Sequence, residues 1–225
     1  MATHLDLEEQ EQLDQLKHFW AQYGNLITWV LIAALGSYAA WNGWAWWQRD
    51  QAVKAGAMYD ELDKAVRASD ADRAAAVFNG LKERYPRTAF AQQGALLLAK
   101  LQFDKGQTEP ARTTLAWVAD NAKEDEYQAS ARLRLAGLLM DQKQYDEALK
   151  QLDGANAKAF EALVADRRGD ILLAQGKKDD ARAAYTKAWQ AMPPAVDYRR
   201  LVEAKLTALG APPPAAAAPV PGASK

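Results

Sequence analysis

Cysteine is absent from the 225 residues, which excludes a disulfide framework, a thiolate nucleophile and a cysteine-based zinc site. Histidine is almost as scarce. His4 and His18 are the two that occur, and they lie well apart at the amino end, so neither a metal site nor any cofactor is implied. Glycine-rich phosphate loops and nucleophile elbows are missing as well. Asp166 and Asp170 stand one helical turn apart, a spacing that can serve acid and base chemistry, but Arg167 and Arg168 between them mark a solvated or ion-paired face. A non-enzymatic protein is therefore expected. An excess of one charge is also lacking: 28 basic against 29 acidic residues leave a net charge of −1. No basic cluster stands without interspersed acids, which argues against nucleic acid as a partner.

What is present is a long uncharged run. Between Phe19 and Gln48 no residue carries a formal charge, and residues 26–46 are largely apolar. That length crosses the roughly 30 Å of bilayer hydrocarbon at about 1.5 Å per residue. Trp20 and Tyr23 flank one end and Trp41, Trp44, Trp46 and Trp47 the other, as aromatic belts at the headgroup level do. A cleaved signal peptide would begin with a short basic region, whereas Asp6, Glu8, Glu9, Glu11 and Asp14 precede Lys17. The run is read as a retained transmembrane helix over 24–47, in contact with membrane lipid. Small residues recur at i,i+4 within it: Ala33 with Ser37, Gly36 with Ala40, and Ala39 with Gly43. They form a strip where a second helix can pack closely, with Asn42 beside it as a possible hydrogen-bonding group. The acidic head over 1–23, with Leu5, Leu7, Leu13 and Leu16 among its acids, reads as solvated chain rather than a short amphipathic helix. Counting basic residues on the two flanks favours a cytoplasmic carboxyl domain, but the rule is weakest for long translocated domains and leaves topology open.

Residues 51–209 read as helix after helix, apolar at three- and four-residue spacing, with no competing strand pattern. Aligning Gly106 with Gly176 reveals a repeat. Ala99, Ala111 and Leu115 correspond to Ala136, Ala148 and Leu152, and then to Gly169, Ala181 and Tyr185. Small, small, large is the pattern of the paired helices of a tetratricopeptide repeat, in which small residues sit where the helices cross and a bulky one plugs the seam. A weaker unit with Ala74, Phe78 and Pro86 precedes them, but Leu62 occupies its first small position. Units recur at about 37, 37 and 33 residues. A last amphipathic helix over 195–209 is expected to cover the end of the stack, and the Ala/Pro tail over 210–225 to be disordered. The fold class is thus all-α: one transmembrane helix, then a tetratricopeptide-like helical repeat domain. The first helix of each pair should line a groove, with Leu96, Phe103, Leu133, Met140, Leu163 and Leu173 facing it. An apolar lining of this kind suits extended or unfolded polypeptide.

One known family matches this layout: an acidic head, Phe19-Trp20 and Tyr23-Gly24-Asn25 leading into the span, then degenerate repeats. The stretch Leu163-Val164-Ala165-Asp166-Arg167-Arg168-Gly169-Asp170-Ile171-Leu172, continuing through Gln175-Gly176-Lys177 to Ala181-Arg182, carries the likeness most specifically. Over about residues 15–209 the chain resembles the ancillary subunit of the bacterial SecYEG translocon. The resemblance implies a bacterial inner-membrane protein with a cytoplasmic amino terminus and a periplasmic repeat domain. It also implies contact with the translocon, with a membrane-anchored periplasmic chaperone of the prolyl-isomerase type, and with exported unfolded proteins. Two other classes fit the same residues: a scaffold for cell-envelope or division machinery, and an anchored regulator that sequesters a cytoplasmic protein through the acidic head.

Overall fold

The structure, a computed structural model, describes residues 7–213, with side chains from residue 11 onward. The first six residues of the acidic head and residues 214–225 of the Ala/Pro tail lie outside the described residues. The chain divides into two compact units, Met1–Val53 and Lys54–Lys225.

The first unit is formed by the amino-terminal part of a long helix, α1 (Leu7–Arg67). The described part of the acidic head is helical, not solvated chain. Leu, Glu and Gln are strong helix formers, and no glycine or proline interrupts 7–23. Further along, α1 is long and apolar enough, by length and composition, to cross a membrane. Trp29, Leu31, Ile32, Leu35 and Trp41 are all exposed in the chain by itself. A run of apolar surface this long is not left facing water in a folded protein, which makes lipid its natural solvent. Two polar side chains in the run bond within the helix: Thr28 Oγ1 donates to the Gly24 carbonyl at 2.8 Å and Asn42 Nδ2 to the Tyr38 carbonyl at 2.9 Å.

The second unit begins within the end of α1 and continues through α2 (Ala71–Arg84), α3 (Ala89–Asp104), α4 (Thr108–Asn121), α5 (Asp125–Asp141), α6 (Tyr145–Asp153), α7 (Glu161–Ala174), α8 (Lys178–Ala191) and α9 (Tyr198–Ala208). A 3₁₀ turn, Lys158–Phe160, precedes α7, and no strand occurs among the described residues. From α2 onward, successive helices pack on one another, and α3, α5 and α7 also touch in turn. This is the stacking of helix pairs.

The repeat is most visible in the backbone. Ser69, Gly106, Lys143 and Gly176 have φ of 55°, 74°, 60° and 80°, one at each turn within a helix pair, and Gly210 has φ 73° after α9. Each ends its helix in the same two bonds. Gly106 N–H donates to Phe103 O and Gln107 N–H to Gln102 O, and the pairs beginning at Ser69, Lys143, Gly176 and Gly210 repeat that pattern. This is the Schellman closure, which caps otherwise orphaned carbonyls through a left-handed residue.

Separate cores result. Leu62, Ala74, Leu81, Ala99, Leu115, Ala136, Leu139 and Leu152 belong to the largest, which reaches as far as Ile171. Ala165, Ala181, Tyr185, Ala188, Met192, Val202 and Leu206 form a smaller one, where α9 covers the end of the stack. Leu62, the residue that breaks the small-residue register, is accommodated by its neighbour. A Cβ on Gly94 would lie 3.3 Å from Leu62 Cδ1, so the glycine on α3 supplies the space that a small residue supplies elsewhere.

Candidate protein-binding groove

The first helices of successive pairs, α3, α5 and α7, line two adjoining cavities. The larger, of about 400 Å³, is walled by Phe103, Leu115, Leu138 and Gly137, with Lys100, Arg134, Asp141 and Arg167 at its polar positions. The smaller, of about 240 Å³, is walled by Leu133, Phe160, Leu163 and Tyr198, with Ser130 and Asp166. Arg134 and Arg167 line both. The arrangement is an apolar groove with two guanidinium groups near its middle.

The residues expected from the sequence to face this groove fall into three sets. Phe103 lines the larger cavity and is 48% exposed; Leu133 and Leu163 come together in the smaller one. Leu96 is 9% exposed and belongs to the larger core, with Met140 packed against that core, so neither offers much surface. Leu173 is exposed near the end of α7. The turns explain the spread. Leu96 and Leu133 each lie ten residues before their left-handed residue, and the position equivalent to them on α7 is Asp166, one turn beyond Leu163.

The two arginines were not evident as groove residues from apolar periodicity. Each stands nine residues before its own left-handed residue, Lys143 or Gly176, so they occupy equivalent positions on adjacent first helices. Each also reaches back over the preceding one. Arg134 Nη1 donates to the Leu96 carbonyl at 3.4 Å. The Arg167 guanidinium lies beside Gly137, where an added Cβ would meet it at ordinary contact distance, 3.7 Å. Crowding by protein atoms lowers the pKa of Arg134 from the usual arginine value, yet arginine stays charged throughout the working pH range.

Asp166 and Asp170 are ion-paired, but not with the arginines between them. Asp166, 3% exposed, accepts from Lys205 Nζ at 2.8 and 2.9 Å and from the Tyr198 hydroxyl at 2.8 Å. Asp170 accepts from Lys205 Nζ at 2.7 Å and from the Tyr185 hydroxyl at 2.8 Å. Burial first, and then these bonds to carboxylates, push both phenols above the ordinary tyrosine value. The cluster fastens α9 to α7 and forms one wall of the smaller cavity. Arg168 pairs instead with Asp153 at 2.6 Å. Among the described residues no group of three or more His, Cys, Asp and Glu is placed to hold a metal ion.

On α1, the small residues Ala33, Gly36, Ser37, Ala39, Ala40 and Gly43 are all exposed. A Cβ built on Gly36 or Gly43 meets nothing within 4 Å. The Asn42 amide, considered above as a bond to a neighbouring helix, donates to its own helix.

Comparison with known proteins agrees with this architecture. The tetratricopeptide repeat-like domain family matches residues 17–211. The crystal structure of MamA superposes with a TM-score of 0.52 over 66% of this chain and 81% of its own, at 19% identity, a likeness of fold. Proteins named ancillary SecYEG translocon subunit match at the sequence level. That of Neisseria gonorrhoeae is 34% identical, covering 93% of this chain and 100% of its own length. That of Escherichia coli is 30% identical, covering 79% and 85%, and that of Haemophilus influenzae 27%, covering 82% and 90%. Membrane-length helix, repeat register and these full-length similarities converge: the chain belongs to the family of ancillary SecYEG translocon subunits.

Proposed function

We propose that this chain is a non-enzymatic inner-membrane accessory subunit of the SecYEG translocon, which receives newly exported, unfolded polypeptide and passes it to periplasmic chaperones. The observation that carries the reading is the match of this chain to the whole length of a relative named for that complex. Two features of the chain support it. The span offers an uncovered strip of small residues, Ala33, Gly36, Ser37, Ala39, Ala40 and Gly43, suited to close packing against another membrane helix. The repeat domain offers an apolar groove on rigid helices, the mode by which stacked repeats hold extended partners. In this reading the amino terminus is cytoplasmic and the repeat domain periplasmic, where a membrane-anchored chaperone of the prolyl-isomerase type is one recipient. Phe103, Leu133 and Leu163 are the apolar contacts, with Leu173 beyond them and Leu96 and Met140 supporting them from the core.

Protease treatment of spheroplasts tests the topology: the domain after Arg49 should be digested while the head is protected. Photo-crosslinkers at Ala40 and Phe103 then test the contacts. Ala40 should capture a translocon subunit and Phe103 an arrested exported chain. Protection of the repeat domain, or failure of both crosslinks, would remove the proposal. The scaffold and regulator readings would then be taken up by identifying what the groove or the head does capture.

A further inference from the structure

The groove carries more information than its apolar lining. Arg134 and Arg167 repeat at one register position, line both cavities, and have no carboxylate partner among the described residues. The one side-chain hydrogen bond either makes to a described residue is the long contact from Arg134 to the Leu96 carbonyl. Two of the other charged groups around them are already paired. Lys100 pairs with Asp104, and Asp166 is taken up by Lys205 and Tyr198. Asp141 lines the larger cavity but forms no ion pair with either guanidinium. Two planar cations are thus held side by side on rigid helices over apolar walls, and a guanidinium in such surroundings is matched by a carboxylate, with which it forms short, charge-assisted bonds.

The position of the charge narrows the ligand. Space with apolar side chains in its walls lies on both sides of the arginine pair, about 400 Å³ toward Phe103, Leu115 and Leu138 and about 240 Å³ toward Leu133, Phe160 and Leu163, the latter shared with Ser130, Asp166 and Tyr198. A chain terminating in its carboxylate would fill one side and leave the other empty. We propose that the groove selects extended polypeptide segments in which an internal Asp or Glu is flanked on both sides by bulky apolar residues, the carboxylate resting on Arg134 and Arg167. The inference rests on the groove being a polypeptide site, as proposed above, and assigns that site a preference within unfolded chains.

The test uses the full chain in nanodiscs and the fluorescent, end-blocked peptide Ser-Gly-Leu-Phe-Glu-Leu-Phe-Gly-Ser, with Gln replacing Glu in a second peptide. A third peptide ends in a free carboxylate after Leu-Phe. Fluorescence anisotropy should give about tenfold tighter binding of the Glu peptide than of the Gln peptide, a preference that shrinks between low and high salt. The Glu peptide should also outbind the free-carboxylate one. In the double variant Arg134→Gln, Arg167→Gln, with its circular dichroism and melting unchanged, the Glu and Gln peptides should bind alike and about as well as Gln binds the parent. Equal binding of Glu and Gln peptides to the parent overturns the carboxylate preference while leaving the groove reading intact. So does discrimination that survives the double variant. Tighter binding of the free-carboxylate peptide overturns the internal placement. If no peptide binds, the groove reading itself falls and takes this inference with it.

Discussion

Replacing Gly169 with alanine tests the helix crossing at the heart of the last repeat. A Cβ there would lie 2.4 Å from Tyr185 Cε1 and 2.5 Å from Cδ1, the edge of a ring that is 1% exposed. Carbon atoms settle at about 3.5–4.0 Å, so ring and methyl must separate by more than about 1 Å. The ring is packed inside the core of the last repeat, and its hydroxyl is bonded to Asp170 at 2.8 Å. Over-packing of this kind costs about 1–3 kcal/mol, and displacing the ring adds the loss of a hydrogen bond to a charged group, about 1.5–3 kcal/mol. The better helix propensity of alanine returns about 1 kcal/mol, leaving a net destabilisation of about 1.5–5 kcal/mol. Urea denaturation of the full chain in detergent measures the total, and hydrogen exchange resolved to α7 and α8 shows whether the damage is local. The decisive control is Tyr185→Ala, in whose background Gly169→Ala should become stabilising by about 1 kcal/mol. A Gly169→Ala variant as stable as the parent, or a cost that persists without the Tyr185 ring, would refute the contact.

Three further outcomes follow from named contacts. Lys143→Gly should stabilise by about 1 kcal/mol because the lysine is held at positive φ, and Gly176→Ala should cost about as much. No atom lies within 4 Å of a Cβ at 176, so the penalty there is purely backbone, and paired urea midpoints check both. Lys205→Met should cost about 3 kcal/mol, because it leaves the buried Asp166 carboxylate with only the Tyr198 hydroxyl, and limited proteolysis should then cut within α9 first. Above about pH 10 the unfolded state ionises tyrosine before the fold ionises Tyr185, whose pKa is raised, so stability present below that pH is lost as pH rises. The loss runs at about 1.4 kcal/mol per pH unit for this group. Tyr185→Phe should remove that increment of slope in urea melts from pH 9 to 11.5, and a slope identical to the parent would contradict the assignment.

Local pattern made much of the fold readable. An uncharged run with aromatic ends identified the membrane-length helix, and the small, small, large spacing identified the crossing sites. At the third crossing glycine replaces alanine because tyrosine replaces leucine as the plug, which the contact between Gly169 and Tyr185 makes concrete. What escaped was set by distant or non-apolar partners. Leu62 looked like a break in register until Gly94, on another helix, was found opposite it. Lys143 carries no sign of a left-handed turn in its side chain, although its backbone makes one. Lys205 lies 39 residues from Asp166 with α8 between them, beyond any local periodicity. In the groove, counting from the left-handed residues would have separated Leu163 from Leu96 and Leu133, and would have paired Arg134 with Arg167. An apolar count passes over both arginines.

The separation of the last repeat's core from the larger one has a mechanical meaning. A tensile load entering at the carboxyl end meets α9 first, where one ammonium bridges two carboxylates and Val202 and Leu206 fill the seam. Because each repeat leans only on its neighbours, yielding there would uncover Val202, Leu206 and the smaller core while the larger core stays closed. Lys205 is in that sense the clasp at the end of the stack, set apart from the segment that holds Phe103 and Arg134.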